Sequence, residues 1–285
     1  MEAVSAVKMR KSQQQALTAR PYASGALSIL QSIAKSADLS QHPLLVERPV
    51  RRTLLIVVGA DKGLAGSYGS TLIKTLAKYM KGRSLTSENT KIATVGRKLN
   101  EYFSKRDYDI VFHTEHWSDK VTFNEIEPLH DKAKDLFDRG EVDQVMIIYT
   151  NFISTLKQEV AARQLLPVKL SDLKEIVGGI TPKTGKWSGV ASESTGEIGP
   201  IFEPDATHVA THLLPKLFSI QIYHSILEAN ASEHSARMIA MKNASDNAKE
   251  ISRVLKLEFN KVRQAAITRE VSEIVGGMES MKIID

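Results

Sequence analysis

The sequence predicts an α/β protein in which an antiparallel coiled coil of the N- and C-terminal helices carries an inserted α/β domain. Three observations lead to this prediction. Residues 216–275 contain no Gly and no Pro, so about 60 residues, or roughly 90 Å at 1.5 Å per residue, can form one helix. Short apolar runs alternate with amphipathic stretches between residues 53 and 168. The other long helical pattern lies at the opposite terminus, in residues 1–36.

The N-terminal segment, residues 1–36, is rich in Ala, Lys, Gln and Ser. Its apolar or small side chains recur at helical spacing, at Val4, Val7, Ala16, Ala26, Ile29 and Ile33. Pro21 and Gly25 are expected to bend this helix. The two prolines of residues 41–52, QHPLLVERPVRR, predict a loop.

The middle of the chain, residues 37–205, is predicted to form a Rossmann-like α/β domain. The run TLLIVVG ends in glycine, as a buried strand would. Predicted strands cover 53–59, 91–96, 108–113 and 142–152, predicted helices cover 70–81 and 122–139, and residues 154–168 are expected to be extended. Such alternation is typical of a mostly parallel sheet covered by helices. Residues 178–200, rich in Gly, Ser, Thr and Pro, predict a mobile loop.

The C-terminal segment, residues 206–285, has a heptad pattern. Seam residues recur at alternating steps of four and three, at Leu213, Leu217, Ile220, His224, Leu227, Ala231, His234, Met238, Met241, Ser245, Ala248, Ser252, Leu255, Phe259, Val262 and Ala266. This spacing predicts a left-handed supercoil. Because many seam residues are Ala, Ser or His, little apolar area would be buried. Gly276 and Gly277 are predicted to end the helix. The N-terminal helix covers only part of it, so the remainder needs another protein or faces solvent.

Composition excludes several classes of protein. Of the 285 residues, 42% are hydrophobic and 25% charged, which is typical of a globular chain. No Cys is present, so disulfides, thiolate metal sites and cysteine nucleophiles are excluded. No apolar run approaches the roughly 18 residues of a membrane span, and the first residues lack a secretory apolar region. We therefore expect an intracellular protein. The net charge of +5 permits an acidic partner without requiring one.

Glycines follow the first predicted strand, where a phosphate-binding loop would lie. They are Gly59, Gly63, Gly66 and Gly69. Their spacing matches neither GxGxxG nor GxxxxGK[ST], so a tight turn between strand and helix is the favoured interpretation.

A possible metal cluster occurs near residue 206. His208 and His212 are four residues apart, with Glu203 and Asp205 nearby. Exposed helix residues are the favoured interpretation, and no metal or other cofactor is predicted.

Five segments together resemble one protein family. They are EAVSAVKMRKSQ (2–13), ARPYA (19–23), IVVGADKGLAGSYGS (56–70), ASEHSARMIAMKNASDNA (231–248) and NKVRQAAITREVSEIVGG (260–277). These segments resemble the gamma subunit of F-type ATP synthases, in the same order and over essentially the whole chain. Two features depart from the family: Met278 stands where an alanine is usual, and the family's first helix begins several turns earlier, so a helix tip without its partner is expected.

The resemblance implies a non-catalytic rotor subunit. Its implied partners are the α and β subunits, whose ring surrounds the coiled coil, and the epsilon subunit and membrane c-ring at its foot. It implies no cofactor, no nucleic acid and no small-molecule substrate. The location implied is peripheral, on the cytoplasmic side of a bacterial plasma membrane.

The resemblance also assigns roles to particular residues. Lys8 and Arg10 would face acidic loops of β, although a solvated helix face is the alternative. Arg263, Gln264, Thr268 and Glu270 would meet the catch loops of β, where the planar Arg fork suits a carboxylate. Residues assigned to the coiled-coil seam are Met238, Met241, Asn243 and Asn247; the methionines would pack and the asparagines could bond the facing helix.

Two other functional classes remain open at this point. One is a nucleotide-binding α/β enzyme with helical extensions, which would bind ATP or NAD as an isolated chain. The other is a homodimeric coiled-coil scaffold, which would form a stable dimer in solution.

Overall fold

A computed structural model of the chain describes residues 1–36, 42–115, 121–168 and 202–282. It divides into two compact units, Met1–Ile239 and Ala240–Asp285, which are described separately. The predicted loop 178–200 lies outside the described residues. The predicted domain limits at residues 36 and 206 stay predictions.

The described residues contain five helices and five strands, and all of them except α3 occur in the predicted order. The helices are α1 (Glu2–Ser36), α2 (Tyr68–Gly82), α3 (Arg97–Ser104), α4 (Phe123–Asp138) and α5 (Ala206–Lys282). The strands are β1 (Thr53–Val58), β2 (Thr90–Val95), β3 (Asp109–Thr114), β4 (Gln144–Phe152) and β5 (Gln158–Leu166).

The strands form one sheet in the order β3-β2-β1-β4-β5. Its first four strands are parallel, and β5 returns antiparallel to β4. Leu55 of β1 is paired with Ile92 of β2 on one side and Met146 of β4 on the other. All six residues of β1 are buried because helices cover both faces, which accounts for its unbroken apolar sequence. The mostly parallel sheet is confirmed.

Alternate residues of β1 enter two separate hydrophobic cores. Leu54 and Ile56 pack in a core with α4 and the first part of α5. Leu55 and Val57 pack on the opposite face with α2 and α3. This division follows from the two-residue period of a strand, whose successive side chains point to opposite faces.

Within Met1–Ile239, α5 is buried on all sides over residues 220–229. Leu30 and Ile33, near the end of α1, belong to the same core as Ile220 and Leu227. The beginning of α1 instead lines a cavity with residues 230–237 of α5. The end of α1 therefore lies beside the earlier part of α5, and the beginning of α1 lies beside the later part, residues 230–237. The predicted antiparallel pairing is confirmed for this unit.

Two local details differ from the prediction, and one expectation stays a prediction. Helix α5 continues through Gly276 and Gly277 to Lys282, so the predicted end is wrong. Glycine permits the left-handed conformation that ends many helices but does not force it, and costs only about 1 kcal/mol in a helix. Helix α1 is continuous across Pro21 and Gly25, and the bend expected there stays a prediction. The short helix α3 was missed; Leu99 and Phe103, four residues apart and both buried, are its sequence signal.

The substitution Gly96→Ala tests the close contact between the ends of β1 and β2. Its φ is +105°, and an added Cβ would lie 2.5 Å from the Gly59 carbonyl oxygen. We expect Gly96→Ala to lower the free energy of unfolding by about 1–3 kcal/mol, measured by urea denaturation. The matched control is Gly82→Ala, where an added Cβ has no atom within 4 Å. Equal stability of both variants would contradict this account.

Candidate functional site

The carboxyl ends of the parallel strands meet α5 and the beginning of α1. A cavity of about 530 Å³ lies there. Its lining comes from α1, from the segments after β1, β2 and β3, and from α5, and includes Ser5, Lys8, Asp61, Lys62, Gly63, Gly96, Glu115, Asn230, Glu233, His234 and Arg237. Ligands of open α/β sheets bind at this edge, so its chemistry decides between the candidate functions.

The glycine loop after β1 is arranged for packing. Asp61 Oδ1 accepts a hydrogen bond of 2.9 Å from the backbone N–H of Arg97, the first residue of α3. A carboxylate of the chain itself therefore occupies the helix N-terminus where a phosphate would bind. An added Cβ at Gly59 would lie 2.6 Å from Leu99, and Gly66 has a φ of +57°. Close packing and a turn account for these two glycines, as the sequence favoured.

Two serines bind α5 to the sheet. Ser232 Oγ donates to the Thr150 carbonyl oxygen of β4 at 3.0 Å. Ser235 Oγ donates to the Thr155 carbonyl oxygen, between β4 and β5, at 2.8 Å. Both serines are fully buried. Buried hydroxyls need such partners, because an unmade hydrogen bond in the interior costs about 1–3 kcal/mol.

Arg237 binds α5 to the glycine loop. Its Nε donates to the Gly63 carbonyl oxygen at 3.3 Å, and Nη2 donates to the Lys62 carbonyl oxygen at 3.4 Å. The same guanidinium pairs with Glu233, one turn earlier on α5, and contacts His234 Nδ1 at 3.1 Å. We call Ser232, Ser235 and Arg237 the helix clamp.

The groups around Glu233 shift the pKa of its carboxyl group. Burial raises the pKa of Glu233, and the hydrogen bond and charge of Arg237 oppose that effect. The charge of Asp61 raises the same pKa further, whereas that of Lys8 lowers it. Burial also raises the pKa of the Tyr68 phenol, which donates to the Ala229 carbonyl oxygen at 3.4 Å. Titratable groups of α1, α5 and the glycine loop thus share one electrostatic environment.

The two predicted cations of α1 have different environments. Lys8 is half-buried and lines the cavity among acidic groups of its own chain. Arg10 is exposed. Only Arg10 therefore presents its charge fully to solvent, and a role of either residue toward β stays a prediction.

The predicted interface residues of α5 lie in the unit Ala240–Asp285. Arg263, Gln264, Thr268 and Glu270 are all exposed. At about 100° per residue they fall within about 160° of the helix circumference, beside the predicted seam at Phe259 and Val262. The helix therefore presents them together on one side.

The four predicted seam residues divide by exposure. Met238 and Met241 are half-buried, whereas Asn243 and Asn247 are exposed. Packing of the methionines is consistent with their half-burial. Bonding of the asparagines to a facing helix stays a prediction.

Large apolar side chains are exposed along the same part of α5. They include Ile251, Val254, Leu255, Leu257, Phe259, Val262, Ile267, Val271, Ile274, Val275 and Met278. Phe259 is 65% exposed and Val262 68%. Exposure of this many large apolar side chains along one helix is typical of a surface that other proteins cover.

The rings of His208 and His212, at the beginning of α5, lie with their centroids 4.6 Å apart and their planes tilted by 39°. Within the described ranges, no cluster of three or more His, Asp or Glu side chains is arranged to hold a metal. In this part of the chain, no helix is both long and apolar enough to cross a bilayer.

Sequence reasoning missed Ser232, Ser235 and Glu233 as a group. Arg237 was noticed only as part of a conspicuous segment. The sequence did contain a signal, because Ser232 and Ser235 lie three residues apart inside a long helix without glycine. Serine is not favoured inside helices, so its presence there indicates another role.

Glu233→Gln tests the buried pair through pH. An acid whose pKa is raised by folding stabilises the fold below its unfolded pKa, here 4.5, and loses that contribution as pH rises. The free energy of unfolding of the wild type, relative to Glu233→Gln, should therefore fall as pH rises from about 4 to 8. Urea unfolding at several pH values measures it.

Glu250→Gln is the matched control on the same helix. Its hydrogen bond from Arg253 lowers the pKa of Glu250, so its pH dependence has the opposite sign. A wild-type advantage over Glu233→Gln that grows with pH would contradict the assignment.

Comparison with known proteins identifies the family. A family model described as ATP synthase matches residues 1–281. The ATP synthase gamma chain of Heliobacterium modesticaldum is 37% identical over 283 residues, covering 99% of this chain and 92% of that protein. The gamma chain of Staphylococcus carnosus is 33% identical over 282 residues, with coverage of 99% and 92%.

Solved structures share the fold at lower identity. The central stalk and c-ring structure of the Tetrahymena thermophila mitochondrial ATP synthase contains a chain with a TM-score of 0.61 and 21% identity, covering 86% of this chain and 97% of that one. A chain of the Euglena gracilis mitochondrial OSCP/F1/c-ring structure has a TM-score of 0.54 and 15% identity, with coverage of 98% and 94%. With the near-complete sequence matches, these findings show that the chain belongs to the ATP synthase gamma chain family.

Proposed function

We propose that this chain is the central-stalk rotor subunit of an F-type ATP synthase, coupling proton flow through a membrane ring to conformational cycling of the β catalytic sites. The observation that carries the proposal is the near-complete match to ATP synthase gamma chains. The related solved chains belong to a central stalk and to an F1/c-ring assembly. The exposed apolar side chains of α5 supply the surface that surrounding subunits would cover.

Catalysis in this proposal belongs to β, and the shaft acts by selecting among β conformations. A rotor can shift these populations only if its contacts differ from one β conformation to another. The exposed set Arg263, Gln264, Thr268 and Glu270 lies within about 160° of the circumference of α5, so in the proposed complex these residues face one direction at a time. A single asymmetric shaft thereby presents different contacts to each β subunit in turn.

The partners follow from the same family. The α and β subunits would surround α5, and the epsilon subunit and c-ring would bind the α/β domain and the adjoining helix ends. The exposed Arg10 of α1 would face an acidic loop of β. We place the complex on the cytoplasmic side of a bacterial plasma membrane, with this chain as a peripheral subunit.

Co-expression tests the proposal against its two rivals. The chain is expressed with α and β subunits and purified through a tag on this chain. We expect one copy of it for each ring of α and β, with ATPase activity in the complex and none in the isolated chain. A stable homodimer that excludes α and β would favour the scaffold. Micromolar binding of ATP or NAD by the isolated chain would favour the nucleotide enzyme.

Arg263→Ala tests the surface assigned to the β catch loops. We expect turnover of the assembled complex to fall roughly fivefold, the effect of losing about 1 kcal/mol of hydrogen bonding in the rotating complex. Folding should not change because Arg263 is exposed. ATP-driven rotation and coupled synthesis measure the effect.

The control is Arg253→Ala, an exposed arginine of α5 that pairs with Glu250 on the same helix. This variant should retain wild-type coupling. Equal activities of the two variants would remove Arg263 from the interface.

A further inference from the structure

The helix clamp joins α5 to backbone atoms of the α/β domain. Ser232 binds the Thr150 carbonyl within β4, and Ser235 binds the Thr155 carbonyl in the hairpin that follows. Arg237 binds two carbonyls of the glycine loop after β1. Backbone acceptors in or next to a sheet move less than side chains, because the strand ladder restrains them. The Thr150 carbonyl therefore offers Ser232 a fixed acceptor, because it lies within β4.

The clamp holds α5 from opposite sides. Each helical residue turns by about 100°, so Arg237 lies about 200° around the axis from Ser235. Ser235 contacts the loop after β4, whereas Arg237 contacts the loop after β1. Rotation of α5 about its own axis, in either sense, would lengthen at least one of these bonds.

The neighbouring apolar contacts add a restraint of a different kind, because close-packed side chains interlock. Residues 220–229 of α5 are buried on all sides, and Ile222, Ile226 and Leu227 have no solvent exposure. Burial of apolar area resists separation of the helix from the sheet, but the hydrophobic effect has no preferred direction. Hydrogen bonds weaken steeply with misalignment, so they add a restraint against turning.

We propose that the helix clamp fixes the rotational position of α5 in the α/β domain and carries torque between that domain and the shaft. This inference rests on the central-stalk function proposed above. Ser232, Ser235 and Arg237 are positioning residues, because they act on the helix and not on reacting atoms. The clamp differs in this respect from the surface of Arg263, which faces outward from the helix.

Single-molecule rotation under load provides the test. The chain has no cysteine, so Lys78→Cys, at an exposed position of α2, attaches a bead to the α/β domain specifically. The chain is assembled with cysteine-free α and β subunits immobilised on a surface. ATP-driven rotation is recorded with small beads of low drag and with large beads of high drag. The variants are Arg237→Ala, the pair Ser232→Ala with Ser235→Ala, and all three changes together.

We expect the triple variant to rotate small beads at the wild-type rate and to sustain a torque roughly threefold or more lower on large beads, because lost hydrogen bonds weaken the joint without touching the ATPase sites. Because the four bonds of these three residues act on one joint, the triple loss should differ from the product of the separate losses. Ser252→Ala with Arg253→Ala, exposed on the same helix, should behave as wild type.

Unchanged torque on large beads in the triple variant would overturn the proposal. So would an equal loss with small and large beads, since a purely structural defect does not depend on load. Failure of the central-stalk function is distinguished by the wild type, which would then fail to assemble or rotate at all. Wild-type rotation with an unchanged triple variant would reject the clamp alone.

Discussion

The attachment of α5 to the α/β domain is the constraint on which the rest of this molecule depends. Over residues 220–229 the helix is enclosed on all sides, by the sheet and α4 on one face and by α1 on another. A helix normally buries one stripe, whereas this segment buries even the polar side chains of Gln221, His224 and Glu228. From residue 242 onward the same helix is exposed. One sequence thus combines an anchored segment with a segment whose apolar side chains remain for other subunits.

The two faces of the sheet pack against different helices, and one of them holds α5. One face packs against α2 and α3 as an ordinary α/β layer, while the other accepts α4 and the anchored part of α5. The carboxyl edge, which binds nucleotides in many such domains, here holds protein groups instead. Asp61 accepts a hydrogen bond from the first backbone N–H of α3, and Arg237 donates to carbonyl oxygens of the glycine loop. The edge that serves chemistry elsewhere serves attachment in this chain.

Attachment and exposure make opposite demands on residue choice. Buried serines at 232 and 235 satisfy their hydroxyls on fixed carbonyls, which restrains the helix at little cost in apolar packing. Farther along, Arg263 and Thr268 remain in solvent on one side of the helix. A shaft that contacts several β conformations needs such surface groups to differ around its circumference, since identical contacts would shift no population.

Sequence alone determined the architecture, because hydrophobic periodicity reports burial locally: β1, β2 and β4 as buried strands, α1 and α5 as long helices, and their antiparallel pairing. Family resemblance supplied Arg10, Arg263, Gln264 and Thr268 as surface candidates. Tertiary structure alone decided that Lys8 lies among acids of its own chain, that α3 exists, and that α5 passes through Gly276 and Gly277. It also decided the pairing of Ser232 and Ser235 with carbonyls about 80 residues away in the chain. Such bonds depend on where a distant backbone oxygen lies, and no local pattern of residues encodes that position.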